Sequence, residues 1–366
     1  MASICLFEPG NIGSLSIANR IVLAPMTRAR AQDDWSPNER AAEYYGQRNS
    51  AGLVIAEATQ ISPDATGYVR TPGFWTDEHI ARWSDAANAV HEGDAKFFVQ
   101  FWHCGRIGHP DNMPPGCTPM GPSVVKPVLP IWTDVANGPV DNPAPREMDE
   151  DDIRRVINDH RQAAMNAKAA GIDGIELHAA NGYLIEQFAS TNTNLRTDAW
   201  GGTLEKRMRF MVEVIEAVAT VFDRERIGIR FSPYGTFNEI DDANPLESFQ
   251  AKLDCVEKAG LGYVHVIRPL VSGNLDKVAS ELDRNVLKTA RARYSGKIIA
   301  AGSYTRETGE ADLSSGLIDF VAFGRPFVAN PDLPRRLREG LPLAEMDETK
   351  LYTAGLDGYI DYPALP

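Results

Sequence analysis

The run Leu177-His178-Ala179-Ala180-Asn181-Gly182-Tyr183 brings an imidazole, a carboxamide and a phenol close together in sequence. His178 and Asn181 stand three positions apart, so one helical turn would converge two hydrogen-bond donors on a single oxygen. Two such donors polarise a carbonyl, and a phenol beside them has a proton to give. A lone histidine is more often a structural residue, so this reading depends on what else shares the site. Arg230 supplies one companion, because a permanent cation inside the apolar run 227–231 needs an anion or a set of carbonyls. The bland alternative is a buried salt bridge to Glu57 or Glu176. Two further segments, Gly302-Ser303 and Gly324-Arg325, combine small residues with a guanidinium, which suits a phosphate. They imply a phosphorylated substrate or a phosphorylated cofactor such as FMN.

Eight short apolar runs precede or carry these groups, at 21–25, 53–56, 97–101, 172–177, 227–231, 263–267, 297–301 and 318–323. Each is followed by a polar segment and then a stretch with helical spacing, at 37–49, 77–92, 149–170, 204–222, 245–259, 282–294, 306–315 and 331–338. Ser36, Thr76 and Asn330 read as helix start signals, and Gly93, Gly171, Gly260, Gly316 and Gly340 as stops. Eight such alternations predict an α/β fold of the (β/α)8 TIM-barrel type, one domain over 1–366, with an open Rossmann-like sheet as the weaker option. Residues 6–17 read as an N-terminal β-hairpin cap turning at Pro9-Gly10-Asn11. The proline-rich stretch 105–145 reads as a long excursion after strand three, over the barrel mouth. The strand ends then bring Pro25, Met26, Thr27, Glu57, Ala58, Gln100, Phe101, Trp102, His103, His178, Arg230, Gly302, Ser303, Gly324 and Arg325 to that mouth. Tyr68 and Trp102, with Tyr352 and Tyr359 from the tail, supply aromatic walls for a planar ligand, while Trp75, Trp83 and Trp132 read as core.

The 366 residues carry a formal charge of −13, which repels phosphate backbones and argues against nucleic acid as a partner. The four cysteines form no C-x-x-C pair, and His103, Cys104 and His109 lack the flanking pattern of a zinc site, so no metal is expected. With no apolar stretch of membrane length and no leader pattern, a cytoplasmic protein without a membrane partner is expected.

The segments Leu6-Phe7-Glu8-Pro9, Ala24-Pro25-Met26-Thr27-Arg28, Gly67-Tyr68, Trp75-Thr76-Asp77, His178 to Phe188, Asn194 to Asp198, Phe323-Gly324-Arg325-Pro326-Phe327 and Gly358-Tyr359 to Pro363 together resemble the Old Yellow Enzyme family of FMN-dependent ene reductases. The likeness runs over essentially the whole chain. It implies that Pro25, Met26, Thr27, Ala58, Gln100, Arg230, Gly302, Ser303, Gly324 and Arg325 hold FMN, with Thr27 on the flavin C4 carbonyl and Gln100 at the pyrimidine edge. It also implies that His178 and Asn181 bind the substrate oxygen, Tyr183 donates the proton, and Tyr68, Trp102 and Tyr352 line the space above the flavin. NAD(P)H would be the reductant and small activated alkenes the acceptors, in ping-pong alternation, in a monomer or homodimer. Thr27 is similar to the threonine-type branch. Ser303 stands where many relatives have a second glycine, and Tyr352-Thr353-Ala354-Gly355 replaces a more glycine-rich tail. The rival readings are a non-redox phosphate-binding isomerase or aldolase, which lacks its lysine or paired carboxylates here, and a flavin-binding barrel without turnover.

Overall fold

In the computed structural model, which describes residues 5–272, 275–276 and 281–365, eight parallel strands close into a barrel. They are β1 (Ile21–Leu23), β2 (Leu53–Gln60), β3 (Lys96–Trp102), β4 (Gly174–His178), β5 (Ile227–Phe231), β6 (Tyr263–Ile267), β7 (Lys297–Ala301) and β8 (Phe320–Phe323). Each expected run holds one strand, and β8 pairs with β1 to complete the ring. Nearly every strand residue is buried, because the strands face packed side chains inside and helices outside.

The helices are α1 (Ala41–Gly46), α2 (Asp77–His91), α3 (Glu150–Ala169), α4 (Leu184–Ala189), α5 (Leu204–Ala219), α6 (Pro245–Ala259), α7 (Glu281–Arg293), α8 (Arg306–Ser314), α9 (Arg325–Ala329) and α10 (Leu333–Glu339). Thr76 caps α2 by accepting the His79 N–H. Ser36 caps nothing, since α1 begins only after Arg40. Asn330 is not a cap either: α10 follows Asp332, and the Asn330 carboxamide instead binds the Pro326 carbonyl and both backbone groups of Ala344. Gly171, Gly260, Gly316 and Gly340 take the left-handed conformation of a helix stop, whereas Gly93 does not.

The hairpin cap is present but turns later than its sequence suggests. Strands Gly10–Ile12 and Leu15–Ile17 pair around Gly13-Ser14, while Pro9-Gly10-Asn11 leads into the first strand. Gly13 sits at φ 53°, and a Cβ there would lie 2.5 Å from Glu225, so both conformation and space select glycine. Ile12, Leu15 and Ile17 plug the strand N-termini against Leu53, Phe98, Tyr263 and Phe320. That seals one end and leaves the other for chemistry. The excursion carries a small hairpin, Ile131–Thr133 with Gly138–Val140, and bridges two loops at the open end. Asn112 binds the Gly67 carbonyl on one side, and Arg106 binds the Asn238 carbonyl on the other. It buttresses the mouth from outside, and none of its residues lines the cavity. Trp83 is core as expected, but Trp132 on this hairpin is 46% exposed.

Candidate active site

At the C-terminal ends of the strands lies a cavity of about 710 Å³, within the range that holds a cofactor and a small substrate. Pro25, Met26, Thr27, Ala58, Gln100, Trp102, His178, Asn181, Tyr183, Arg230, Gly302, Ser303, Gly324, Arg325 and Tyr352 all line it. Tyr68 does not; it stands behind Tyr183, the two hydroxyls 3.3 Å apart. Tyr359 is also off the cavity, buried with its ring stacked on Tyr44 at 4.4 Å. The tail from Leu343 to Tyr352 forms an outer wall, of which the sequence pointed only to Tyr352.

His178 and Asn181 are not a helical turn apart. His178 ends β4, and the chain then passes through a left-handed pair, Asn181 at φ 57° and Gly182 at φ 75°. Tyr183 follows as the residue preceding α4. Such a pair reverses the chain tightly enough to return the side chains of both 181 and 183 to the cavity that His178 faces. A Cβ on Gly182 would lie 2.7 Å from the Asn238 Cβ, so glycine is required there twice over. The Asn181 N–H donates to Ser232 Oγ at 2.8 Å, and its carbonyl accepts from Asn238 Nδ2 at 2.8 Å. These holdfasts cost little sequence signal, since each is a single polar residue on another loop.

The protonation states follow from burial. Burial, with the charges of Arg230 and His265 adding to it, holds the His178 imidazole well below its usual pKa, so the ring is neutral. Its Nδ1 accepts the Ala180 N–H at 3.4 Å, which assigns the proton to Nε2 as a donor. Burial also pushes the Tyr183 phenol well above its usual range, helped by Tyr68 and Cys104, so Tyr183 keeps its proton through neutral pH. Trp102 packs edge-on to Tyr183 at 4.8 Å and stacks with Tyr68 at 5.5 Å and His178 at 6.2 Å. The three groups are held by rings rather than by long flexible chains.

Arg230 is half-buried in the cavity wall and forms no ion pair with Glu57 or Glu176, so the salt-bridge alternative is set aside. Its Nη1 reaches the Pro25 carbonyl at 3.5 Å, and its Nε is buried without a hydrogen bond. A half-buried cation with one buried, unused donor beside a cavity fits an electron-rich edge of a ligand. At the far end, Gly302 at φ 118° and Ser303 at φ 47° form a tight turn after β7. Arg325 Nη2 donates to Ser303 Oγ at 3.3 Å, which sets a guanidinium and a hydroxyl side by side. A Cβ on Gly324 would stand 3.3 Å from Met26 Sδ and narrow the passage between the two ends. An anion fits at this end and a planar polar ring at the other.

Glu57 is the bulged residue of β2, turned away from the cavity, where it accepts the Arg28 N–H at 3.1 Å and the Tyr45 hydroxyl at 3.2 Å. Burial pushes its pKa up to about 7, against the pull of the Arg28 N–H and charge. A carboxyl that binds its proton more tightly folded than unfolded stabilises the fold below the unfolded pKa and loses that contribution as pH rises to about 7. Glu57→Gln is therefore expected to raise Tm at pH 8 and flatten its change between pH 5 and 8, an effect on the order of 3 kcal/mol. Equal Tm profiles for both proteins would contradict it. Nearby, the Arg30 guanidinium gathers the tail through the carbonyls of Lys350, Leu351, Gly355 and Asp357 at 2.7 to 3.1 Å. That clip, with Arg70 Nη2 donating to the Tyr352 carbonyl at 3.0 Å, holds the tail that carries Tyr352 to the cavity.

A closed barrel whose mouth joins an anion-compatible turn, a cation and a neutral donor cluster has the layout a flavin-binding oxidoreductase needs. A profile of the NADH:flavin oxidoreductase / NADH oxidase family matches residues 5–344. The chain is 41% identical to 12-oxophytodienoate reductase 1 of Oryza sativa subsp. japonica, over 100% of this chain and 94% of the relative. Its fold superposes on morphinone reductase in complex with tetrahydroNAD with a TM-score of 0.92, at 41% identity over 99% of this chain and 98% of that one. It likewise matches the Old Yellow Enzyme homologue of Zymomonas mobilis, TM-score 0.91, at 35% identity over 98% and 99%. The chain belongs to this Old Yellow Enzyme family of NADH:flavin oxidoreductases, with FMN and a nicotinamide donor as its cofactors. No helix among the described residues is long and apolar enough to cross a membrane.

Proposed function

We propose that the protein is an NAD(P)H-dependent ene reductase of the threonine-type branch, reducing the C=C bond of α,β-unsaturated carbonyl or nitro compounds. It works as one cytoplasmic domain, monomeric or homodimeric. The observation that carries this reading is the meeting of His178, Asn181 and Tyr183 with Thr27, Gln100 and Arg230 in one cavity. FMN, when bound, would supply hydride transfer between NAD(P)H and the alkene, the two substrates alternating in one cavity. Thr27, Gln100 and Arg230 would hold the ring, with Pro25, Met26 and Ala58 against it, while Gly302, Ser303, Gly324 and Arg325 would hold the phosphate. The His178 Nε2–H and the Asn181 carboxamide bind the substrate oxygen and draw electron density from the β-carbon. Tyr183 holds the proton that goes to the α-carbon. Trp102 and Tyr352 line the space for the alkene, and Tyr68 orients the Tyr183 hydroxyl.

The test is a visible spectrum of the purified protein, then anaerobic NADPH, then cyclohexenone. A flavin band that bleaches and returns supports the reading. A colourless protein that FMN cannot reconstitute supports a non-redox phosphate barrel, and a band that NADPH leaves unbleached supports a binder without turnover. Arg325→Ala is expected to weaken FMN binding roughly 10- to 100-fold, the worth of a charge-assisted contact to phosphate. Fluorescence of flavin released on dilution measures it, and unchanged retention removes Arg325 from the phosphate site.

A further inference from the structure

One buried carboxylate, Glu176, lies behind the cavity lining and has no part in the roles above. Strand register sets Gln100 on β3 beside Glu176 on β4, and Glu176 beside Gly228 on β5. Gly228 in turn lies beside Tyr263 on β6, with Arg230 beside His265 two residues further along. A Cβ on Gly228 would stand 2.0 Å from the Tyr263 ring, so the missing side chain is what lets that ring cross β5. Glu176 is fully buried and collects three donors: Gln100 Nε2 at 2.7 Å on Oε1, and Tyr263 Oη at 3.0 Å and His265 Nδ1 at 2.9 Å on Oε2.

Two consequences follow from chemistry alone. A carboxylate only accepts, so the Gln100 amide must turn its NH2 to Glu176, which leaves its carbonyl oxygen for the cavity that Gln100 lines. Burial raises the proton affinity of Glu176, yet His265, Arg230 and the Gln100 amide together keep it below the usual carboxylate range, hence ionised. A negative charge then lies near Arg230 without touching it, and offsets part of the field that Arg230 projects into the cavity.

We infer that Glu176 is a positioning residue for the flavin: it fixes the Gln100 amide with its oxygen toward the ring, and its charge tempers how strongly Arg230 favours the reduced flavin. This rests on the assignment of Gln100 and Arg230 to the pyrimidine edge. Reduction leaves negative charge at that edge, which a cation stabilises and a nearby anion opposes. Removing the Glu176 charge therefore raises the potential.

The experiment measures FMN affinity in both redox states, and the two-electron potential, in Glu176→Gln. Expected is a positive shift, with reduced FMN favoured over oxidised at least tenfold more than in the wild type, about 30 mV. A potential that is unchanged or lowered overturns the inference. Glu176→Asp keeps the charge and withdraws it from Gln100, so it decides the case even if the Gln variant does not fold. Oxidised FMN is then expected to bind roughly fivefold more weakly or worse, with the ratio between redox states held within about twofold. Wild-type affinity in Glu176→Asp overturns the orienting role. Gln100→Ala separates the levels. Undiminished FMN binding there overturns the pyrimidine-edge assignment, whereas weakened binding with an inert Glu176→Gln overturns only the role of Glu176.

Discussion

Tyr183→Phe is expected to slow alkene reduction by roughly 10²- to 10⁴-fold while leaving flavin reduction by NADPH within about twofold, the usual range for losing one general acid. The substitution removes one oxygen and its 3.3 Å bond to Tyr68. The ring and its edge-on contacts to Trp102 and His178, both at 4.8 Å, are unchanged in kind, so the cavity keeps its shape. Only the step that consumes a proton should feel the loss. Because burial keeps the phenol protonated well past neutrality, the wild-type rate of that step should not fall between pH 6 and 8 through Tyr183. Anaerobic stopped-flow of each half-reaction measures the split. Equal slowing in both halves would show that Tyr183 shapes the cavity instead of supplying a proton.

The barrel was legible because parallel strands, buried on both faces, print continuous apolar runs that polar segments separate. Strand ends then point to one mouth, which is why Thr27, Gln100, His178, Arg230 and Arg325 could be gathered from the sequence before any coordinates. What stayed hidden depends on geometry that leaves no local pattern. The six residues of α4 are buried on every side, so no 3.6-residue period shows, and the five residues of α9 are too few to show one. The left-handed turn at Asn181-Gly182 reads as a helical turn in spacing alone, although Asn-Gly was a hint of it. Arg30 is an ordinary basic residue until its carbonyl partners, more than 300 positions away, are known. Aromatic content alone offers both Tyr352 and Tyr359 as walls; the family likeness favours Tyr352, and the structure puts it at the cavity while Tyr359 is buried on Tyr44. Glu176 was visible as a strand residue, but its hub exists only once register sets Gly228 between it and Tyr263.

His178→Ala should weaken binding of phenolic ligands roughly 10- to 100-fold, the range for a hydrogen bond to a charged oxygen that is buried when bound. Such ligands place an oxyanion where the substrate carbonyl oxygen belongs, so they report the donor pair without turnover. The neutral state of His178 makes the pH dependence specific. The folded ring titrates well below its ordinary range, so raising the pH past 6 takes no proton from it. Affinity should therefore rise with pH until the free phenol is fully ionised and then level off. A fall on the alkaline side of pH 6 to 7 would mean that an imidazolium binds the oxyanion, and the tautomer assigned from the Ala180 N–H would be wrong. Asn181→Ala should cost a similar amount, and the double variant less than the sum of the two, because both donors serve one oxygen. Strict additivity in a spectral titration would place the two side chains on different atoms of the ligand, and the polarising pair would no longer be a pair.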